Sequence, residues 1–267
     1  MEQLAQKQSS RKRSVKKSTR SKKKKQALRR LLVLVLITFV FGFLAGFLVG
    51  SKKPDTLNFI MAPASTVGNL QNGTYDNLPW NLTLVNFENA LPENFAPESL
   101  GEIDNGYEAD SRIVDAAKQM IADAREDDVR IIALSAFRDY EYQKELYDNK
   151  VQRLQQEKGY SVKKAREEAG TVVAYPGTSE HQLGLALDLV DARHVALDES
   201  QEDTDAYKWL YEHCHEYGFI VRYPNGKTDI TGIIYEPWHF RYVGVEAATT
   251  IMNEQLTLEE YLQKHYK

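Results

Sequence analysis

The sequence predicts an α+β fold, and two observations lead to this class. Amphipathic helical segments and short apolar strand segments are intermixed along the chain, without the regular strand–helix–strand alternation of parallel sheets. Near the carboxyl end, strand segments follow each other through tight connections. The chain has 267 residues, 42% hydrophobic and 10% aromatic, which is enough for a packed core.

The first predicted element of the folded region is a short alternating strand at residues 82–87. A helix follows, because Ser111 is a good N-cap and apolar residues then recur at i, i+3 and i+4 spacing from Ile113 to Ala124. The apolar run at 129–135 has the length of a strand and delivers the residues after it to the end of that strand.

The remaining segments are charged helices and apolar strands. In chain order they are predicted as helices at 139–159 and 161–169, a strand at 185–190, an acidic surface loop at 191–205, a helix at 205–217, and strands at 219–224 and 231–243. Gly218 is expected to end the helix before it. Thr257 and Glu260 fit a capping box, which predicts a terminal helix.

Charge is distributed unevenly along the chain. Residues 1–30 carry 13 of the 34 Lys and Arg and one of the 38 Asp and Glu, so this tail has a charge of +12 against −16 for the rest. Residues 31–50 contain no charge, and as a helix this run would reach roughly 30 Å, the thickness of a bilayer core. We therefore predict a basic cytoplasmic tail (1–30), one transmembrane helix (31–50), an extracytoplasmic linker (51–77) and a folded domain (78–267).

The orientation follows from the positive-inside rule, because the basic flank precedes the apolar run and only Lys52 and Lys53 follow it. Beside a membrane span, the basic tail is expected to hold anionic lipid rather than nucleic acid. A cleaved signal peptide is the alternative. Its apolar region is shorter, about 7 to 15 residues, and no A-x-A pattern closes this run, so an uncleaved anchor is favoured.

Two histidines and an aspartate form the candidate metal site. The stretch SEHQLGLALD contains His181 and Asp188, and EPWH, about fifty residues later, contains His239. Imidazole nitrogen and carboxylate oxygen are zinc ligands, and three protein ligands leave a fourth position for water, as in catalytic zinc sites. Glu236 lies three residues before His239 and outside the ligand set, so it is free to act as a general base.

Any one of these side chains alone would be better explained by a buried hydrogen bond, but their conjunction favours zinc. Arg138 is a second candidate, because a planar guanidinium matches a carboxylate in bidentate fashion and a carboxypeptidase must recognise a free chain end. The single cysteine, Cys214, excludes an intramolecular disulfide. Although it lies between two histidines, neighbours in a helix point in different directions, so we expect a buried thiol rather than a metal ligand.

With these residues in place, the chain resembles the D-alanyl-D-alanine carboxypeptidases of the VanY type and the related LD-carboxypeptidases of bacterial cell walls. The segments that carry the resemblance are LPWNLTLVN, LSAFRDYEYQKELY, PGTSEHQLGLALDL, WLYEHCHEYGFIVRYP and TGIIYEPWHFRYVG. The resemblance implies a single α+β zinc-peptidase domain with an antiparallel sheet flanked by helices. It implies one Zn2+ held by His181, Asp188 and His239, with Glu236 as the catalytic base.

The resemblance also implies a substrate-binding set. Arg138, Gln143 and Ser179 are expected to engage the terminal D-alanine or the scissile group, with Arg138 also a catalytic candidate, and Trp238 is included among the binding residues. The family pattern S-x-Y-R has a phenylalanine here, Phe137, so one aromatic hydroxyl is lost while the arginine is kept.

The expected function is removal of the C-terminal D-alanine from peptidoglycan stem peptides by a zinc carboxypeptidase anchored in a bacterial cell membrane. The expected partners are stem peptides ending in D-Ala-D-Ala, and the site would lie outside the membrane. Three alternatives stay open: an LD-carboxypeptidase acting on tetrapeptide stems, an endopeptidase cutting within cross-links, and a non-catalytic module that binds the wall.

Overall fold

The computed structural model describes residues 78–266. The predicted basic tail (1–30), transmembrane helix (31–50) and linker (51–77) lie outside the described residues. Within 78–266, none of the helices is both long and apolar enough to cross a membrane. These residues belong to one compact unit.

A four-stranded antiparallel sheet and a two-stranded antiparallel hairpin are formed by the described residues, which confirms the predicted α+β class. The strands are β1 (Leu100–Asp104), β2 (Tyr107–Asp110), β3 (Ile131–Ser135), β4 (Ala186–Asp191), β5 (Phe219–Val221) and β6 (His239–Tyr242). The larger sheet has the order β3-β4-β6-β5, so β4 and β6 are its central strands.

Helices cover the rest of the fold. They are α1 (Val114–Glu126), α2 (Tyr140–Lys158), α3 (Val162–Gly170), α4 (Asp205–His213), a single turn α5 (Thr228–Thr231), α6 (Val245–Glu254) and α7 (Leu258–His265). Side-chain hydrogen bonds cap the first turns of several of these helices. Asp139 and Ser161 accept hydrogen bonds from the backbone N–H groups at the starts of α2 and α3. The predicted capping box of Thr257 and Glu260 is present at the start of α7.

Two apolar clusters hold these elements together. The main core packs α1, through residues such as Met120, against one face of the sheet, where Leu187 lies opposite Phe240. A second cluster joins α6 and α7 to the other side of the fold, and it includes Ile220 and Leu262.

The predicted strand at 82–87 is wrong. The structure has a 3-10 turn (Trp80–Leu82) followed by irregular chain. The apparent alternation arises because leucines of this segment, such as Leu84, pack into the second cluster. The backbone does not pair with a strand: the carbonyl oxygens of Asn81 and Thr83 accept hydrogen bonds from Arg241 Nη2, each at 2.9 Å.

Four other segments differ from the prediction. The hairpin β1–β2 was not predicted, although Asn105 and Gly106 connect its strands with positive φ at both positions, as a type I′ turn requires. The predicted strand at 231–243 begins only at His239, because α5 and irregular chain precede it. The helical segment at 205–217 changes to a 3-10 turn at Cys214, and Gly218 ends it in a left-handed conformation as expected. Helix α6 was not predicted.

Candidate functional site

Asp188 and His239 meet because β4 and β6 pair in register. They lie directly opposite each other on adjacent antiparallel strands, where paired Cβ atoms are about 4.5–5.5 Å apart. His181 comes from the 3-10 turn Glu180–Leu183, which leads into β4 through Gly184. Gly184 has a φ of 71°, a left-handed conformation that glycine adopts readily. This turn brings His181 back beside the strand that carries Asp188.

The distances within this cluster fit one zinc ion. His181 Nε2 lies 3.3 Å from Asp188 Oδ1, and His239 Nδ1 lies 3.4 Å from the same oxygen. Two ligands bound tetrahedrally to zinc at about 2.0–2.1 Å are about 3.3–3.4 Å apart. His181 Nε2 and Asp188 Oδ1 are also buried without a hydrogen-bond partner among residues 78–266. His181, Asp188 and His239 can therefore hold a metal ion.

The ring of His181 is oriented for metal binding. Its Nδ1 lies 2.6 Å from the carbonyl oxygen of Ala136. Because a carbonyl only accepts, Nδ1 carries the proton and leaves the lone pair of Nε2 facing Asp188. Burial and the positive charge of Arg138 lower the pKa of His181 to about 4, so the ring is neutral at pH 7. Neutral imidazole is the form that ligates metal.

Asp188 and His239 each shift the pKa of the other. Burial alone raises the pKa of Asp188, but the interactions with His181 and His239 outweigh it and hold that pKa well below its usual range. Burial alone lowers the pKa of His239, but the carboxylates of Asp188 and Glu180 raise it to about 9. A proton on His239 thus balances the charge of Asp188, and a metal ion bound here would take the place of that proton.

Glu236 lies beside the cluster. Its Oε2 is 3.6 Å from His239 Nδ1, and its side chain is buried. The backbone fixes it from both sides, because Glu236 N donates to the carbonyl of Tyr223 and Glu236 O accepts from His239 N. Burial, with a further contribution from Asp188, raises the pKa of Glu236 to about 8. Such a carboxyl can exchange a proton near neutral pH.

Two of the predicted substrate-binding residues have buried polar atoms that make no hydrogen bond to the described residues. Arg138 Nε makes no hydrogen bond within the part of the chain that the structure describes. The charge of Arg138 nonetheless acts on His181, Asp188 and Glu236, which places it close to the cluster. Gln143 donates from Nε2 to the carbonyl of Ala174 at 2.7 Å, and its Oε1 has no described partner. Both side chains retain capacity to bind a polar ligand.

Ser179 and Trp238 are both buried. Trp238 contributes its carbonyl oxygen, which accepts from Leu189 N at 2.8 Å, and the Ser179 carbonyl accepts from Gln182 N. Within residues 78–266, neither side chain forms a hydrogen bond or ion pair with the metal cluster. The structure therefore places these two residues next to the ligand-bearing segments without bringing them into the cluster itself.

Sequence reasoning missed a buried charged group behind the cluster. Glu180 is fully buried and accepts hydrogen bonds from Arg222 and Arg241, which are equally buried. A signal was available, because both arginines interrupt apolar strand segments, FIVRYP and HFRYV. An arginine that points into a core needs an acidic partner. The neighbouring Gln182 was missed as well; its buried Nε2 donates to the carbonyls of the loop at 92–95.

Among residues 78–266, the histidine–cysteine–histidine stretch is not part of the cluster that can hold a metal ion. Cys214 is fully buried, as expected, and burial raises the pKa of its thiol above the usual range. His213 instead pairs with Glu216 at 3.1 Å.

Comparison with known proteins supports a peptidase. A sequence profile of the family described as VanY, D-alanyl-D-alanine carboxypeptidase, matches residues 107–245. A D-alanyl-D-alanine carboxypeptidase of Enterococcus faecalis is 46% identical over 188 residues, covering 70% of this chain and 67% of the relative.

Two solved structures share the fold. One is a mutant of the vancomycin resistance D,D-pentapeptidase VanY from a VanB-type cassette in complex with Zn(II), with 43% identity, a TM-score of 0.62, and coverage of 69% of this chain and 99% of that one. The other is the LD-carboxypeptidase LdcB, with 38% identity, a TM-score of 0.61, and coverage of 70% and 87%. The Zn(II) of the former, together with the cluster of His181, Asp188 and His239, confirms the predicted zinc cofactor.

Proposed function

The chain belongs to the VanY D-alanyl-D-alanine carboxypeptidase family, and we propose from this membership that it releases the C-terminal D-alanine of peptidoglycan stem peptides ending in D-Ala-D-Ala. The observation that carries the proposal is the position of a buried carboxyl, Glu236, 3.6 Å from His239 in a cluster whose spacing fits zinc. A metal and an adjacent base are the two parts that amide hydrolysis by water needs.

The residues have distinct roles in this reaction. His181, Asp188 and His239 would hold the zinc ion, which would supply polarisation of the scissile carbonyl and a lowered pKa of water beside it. Glu236 accepts a proton from the attacking water as the water oxygen bonds to the carbonyl carbon. It then gives that proton to the nitrogen of the departing D-alanine as the C–N bond breaks.

Arg138 and Gln143 supply substrate recognition in the proposal. The guanidinium of Arg138 binds the terminal carboxylate, since it retains a buried N–H without a described partner and its charge acts at the cluster. The free Oε1 of Gln143 accepts a hydrogen bond from a substrate N–H group. Ser179 and Trp238 line the same site through the segments that carry His181 and His239.

The uncharged run at 31–50 and the basic tail before it support a single-pass anchor in the cytoplasmic membrane. In this arrangement anionic lipid contacts the tail, and the domain at 78–267 works outside the membrane, where peptidoglycan is found.

An LD-carboxypeptidase acting on tetrapeptide stems is a second candidate, because the LD-carboxypeptidase LdcB is 38% identical and shares the fold. The two activities differ in the residue that precedes the released D-alanine. The pentapeptide substrate is favoured because the E. faecalis relative and the Zn(II)-containing neighbour, both named for activity on D,D-peptides, are 46% and 43% identical.

The test is a Glu236→Gln variant of the full-length chain in detergent micelles, with zinc and a synthetic stem peptide ending in D-Ala-D-Ala. We expect kcat for D-alanine release to fall at least about 100-fold, because general acid–base catalysis typically contributes about 10²- to 10⁴-fold. Bound zinc should stay at one ion per chain. Mass spectrometry of the products also separates pentapeptide from tetrapeptide cleavage.

The matched control is Glu246→Gln, which changes an exposed glutamate on α6 and should leave turnover unchanged. Undiminished turnover of Glu236→Gln would remove Glu236 from the mechanism. If the parent protein releases no D-alanine from this peptide, the proposed activity itself is wrong.

A further inference from the structure

One carboxylate outside the ligand set faces a metal ligand. Glu180 Oε2 lies 3.7 Å from His239 Nε2, the ring nitrogen opposite the one that faces Asp188. Both atoms are buried, and neither has a hydrogen-bond partner among residues 78–266. The 3.7 Å that separates these two atoms is slightly longer than a hydrogen bond.

The other oxygen of Glu180 is held firmly. Glu180 Oε1 accepts from Arg222 Nε and from Arg241 Nη1, both at 2.7 Å. The two arginines are themselves fixed: Arg222 makes two further hydrogen bonds to Glu259 of α7, and Arg241 donates to backbone carbonyls near Asn81. These two hydrogen bonds hold the carboxylate in an orientation in which Oε2 is directed at His239.

Stability alone does not account for this arrangement. Burying two guanidinium groups and a carboxylate costs desolvation free energy, and apolar residues of similar volume often serve stability as well or better. What an apolar substitute cannot supply is an acceptor aimed at Nε2 of His239. A ring nitrogen that donates to a carboxylate fixes the tautomer and the orientation of a metal-ligating histidine.

We propose that Glu180 is a positioning residue of the zinc site, which accepts a hydrogen bond from His239 Nε2–H and so keeps His239 Nδ1 unprotonated and directed at the metal. Arg222 and Arg241 hold the carboxylate in place for this task. The inference rests on the zinc ligand set of the proposed function, but it concerns metal binding and does not depend on which peptide is cleaved.

Glu180→Gln removes the negative charge and places a hydrogen-bond donor where the carboxylate has an acceptor. The single amide oxygen of glutamine is drawn to the two arginines, which leaves its NH2 group facing His239 Nε2. A donor at that position favours the tautomer protonated at Nδ1, which cannot ligate. We expect zinc affinity, measured by competition with a chelating dye on the full-length chain in micelles, to fall about 10- to 100-fold.

Two further variants make the measurement specific. Glu180→Asp keeps the negative charge between the arginines, so the fold is retained, but the shorter side chain withdraws from His239; the same loss is expected. Asp191→Asn is the matched control, since Asp191 is a buried carboxylate of β4 paired with Arg193 and has no contact with His239. Its zinc affinity should stay within about threefold of the parent.

A folded Glu180 variant that binds zinc as tightly as the parent overturns the proposal, as does an Asp191→Asn variant that loses zinc to the same extent. A test without any substitution is nitrogen-15 NMR of histidine rings in the zinc-loaded parent. The proposal requires a protonated Nε2 and a metal-bound Nδ1 for His239, and the reverse assignment contradicts it. Loss of zinc affinity without any D-alanine release in the parent would retain this inference and reject the proposed activity.

Discussion

Replacing Gly184 by alanine tests how the turn before β4 positions His181. Gly184 has a φ of 71°, and its N–H donates to the carbonyl of His181 at 3.0 Å. A Cβ atom added here would lie 2.9 Å from Asp110 N and 2.9 Å from Pro97 Cγ, closer than real Cβ atoms come to other heavy atoms. The substitution therefore forces both a strained backbone and a steric clash.

The expected loss of folding stability is the sum of the backbone strain and the steric clash. A left-handed conformation costs a residue with a Cβ about 1–2 kcal/mol, and overpacking of a closed site costs about 1–3 kcal/mol more. The expected loss is therefore about 2–5 kcal/mol. For a domain of this size, each kcal/mol corresponds to about 2–4 °C, so Tm should fall by about 4–20 °C.

Comparison with Gly159→Ala isolates the steric contribution to the loss of stability in Gly184→Ala. Gly159 also has a positive φ, 65°, at the end of α2, but an added Cβ would have no heavy atom within 4 Å. Thermal unfolding of both variants, followed by circular dichroism, should show the larger loss for Gly184→Ala. The same variant should bind zinc more weakly, because the His181 turn shifts. Equal Tm values for the two variants would refute the clash at Gly184.

Three other predictions address charge, metal and core. Asp191→Asn should destabilise the protein by about 1 kcal/mol or less at pH 7. The hydrogen bonds of Arg193 lower the pKa of Asp191, so this stabilisation is present above the unfolded pKa and is lost as pH falls through the folded pKa. Thermal scans at pH 7 and at progressively lower pH should therefore show a difference in Tm between variant and parent that shrinks as pH falls. Tm should rise as the zinc concentration is raised, and a chelator should reverse the rise. A free zinc concentration of 100 times Kd stabilises the folded protein by about 2.7 kcal/mol. A Tm that does not depend on zinc contradicts the proposed metal site. Leu187→Ala should lower the free energy of unfolding by about 2–5 kcal/mol, because Leu187 is fully buried in the main core. Val195→Ala, at an exposed position, should change it by no more than about 0.5 kcal/mol. Denaturant unfolding of both variants measures the difference.

Most of the long helices and the central strand β4 were predictable because their signals are local. Alternation, spacing and caps such as Ser161 and Thr257 depend on a few neighbouring residues, and the structure retains them. The strand predicted at 82–87 failed because its leucines pack into the second cluster, while the carbonyl of Thr83 accepts from the guanidinium of Arg241 and not from a neighbouring strand. Patterns among neighbouring residues in the sequence cannot predict that contact.

The metal ligands could be predicted from the sequence, but the residues that hold them in place could not. His181, Asp188 and His239 belong to two short motifs, and their residue types alone indicate zinc. Glu180 lies inside the first motif, yet its purpose depends on arginines from two strands about 42 and 61 positions away. Only the assembled sheet shows that it faces the far side of His239.

The core and the metal site also depend on the same strand register. Side chains of β4 alternate between two faces, so the position that places Leu187 opposite Phe240 in the main core necessarily places Asp188 opposite His239 on the other face. Arg241, two residues after His239, lies on that same face and donates to Glu180. A slip of one residue between β4 and β6 would expose the apolar pair and separate the ligands together. Burial of the core thus fixes the register, and the register fixes the distance from Asp188 to His239.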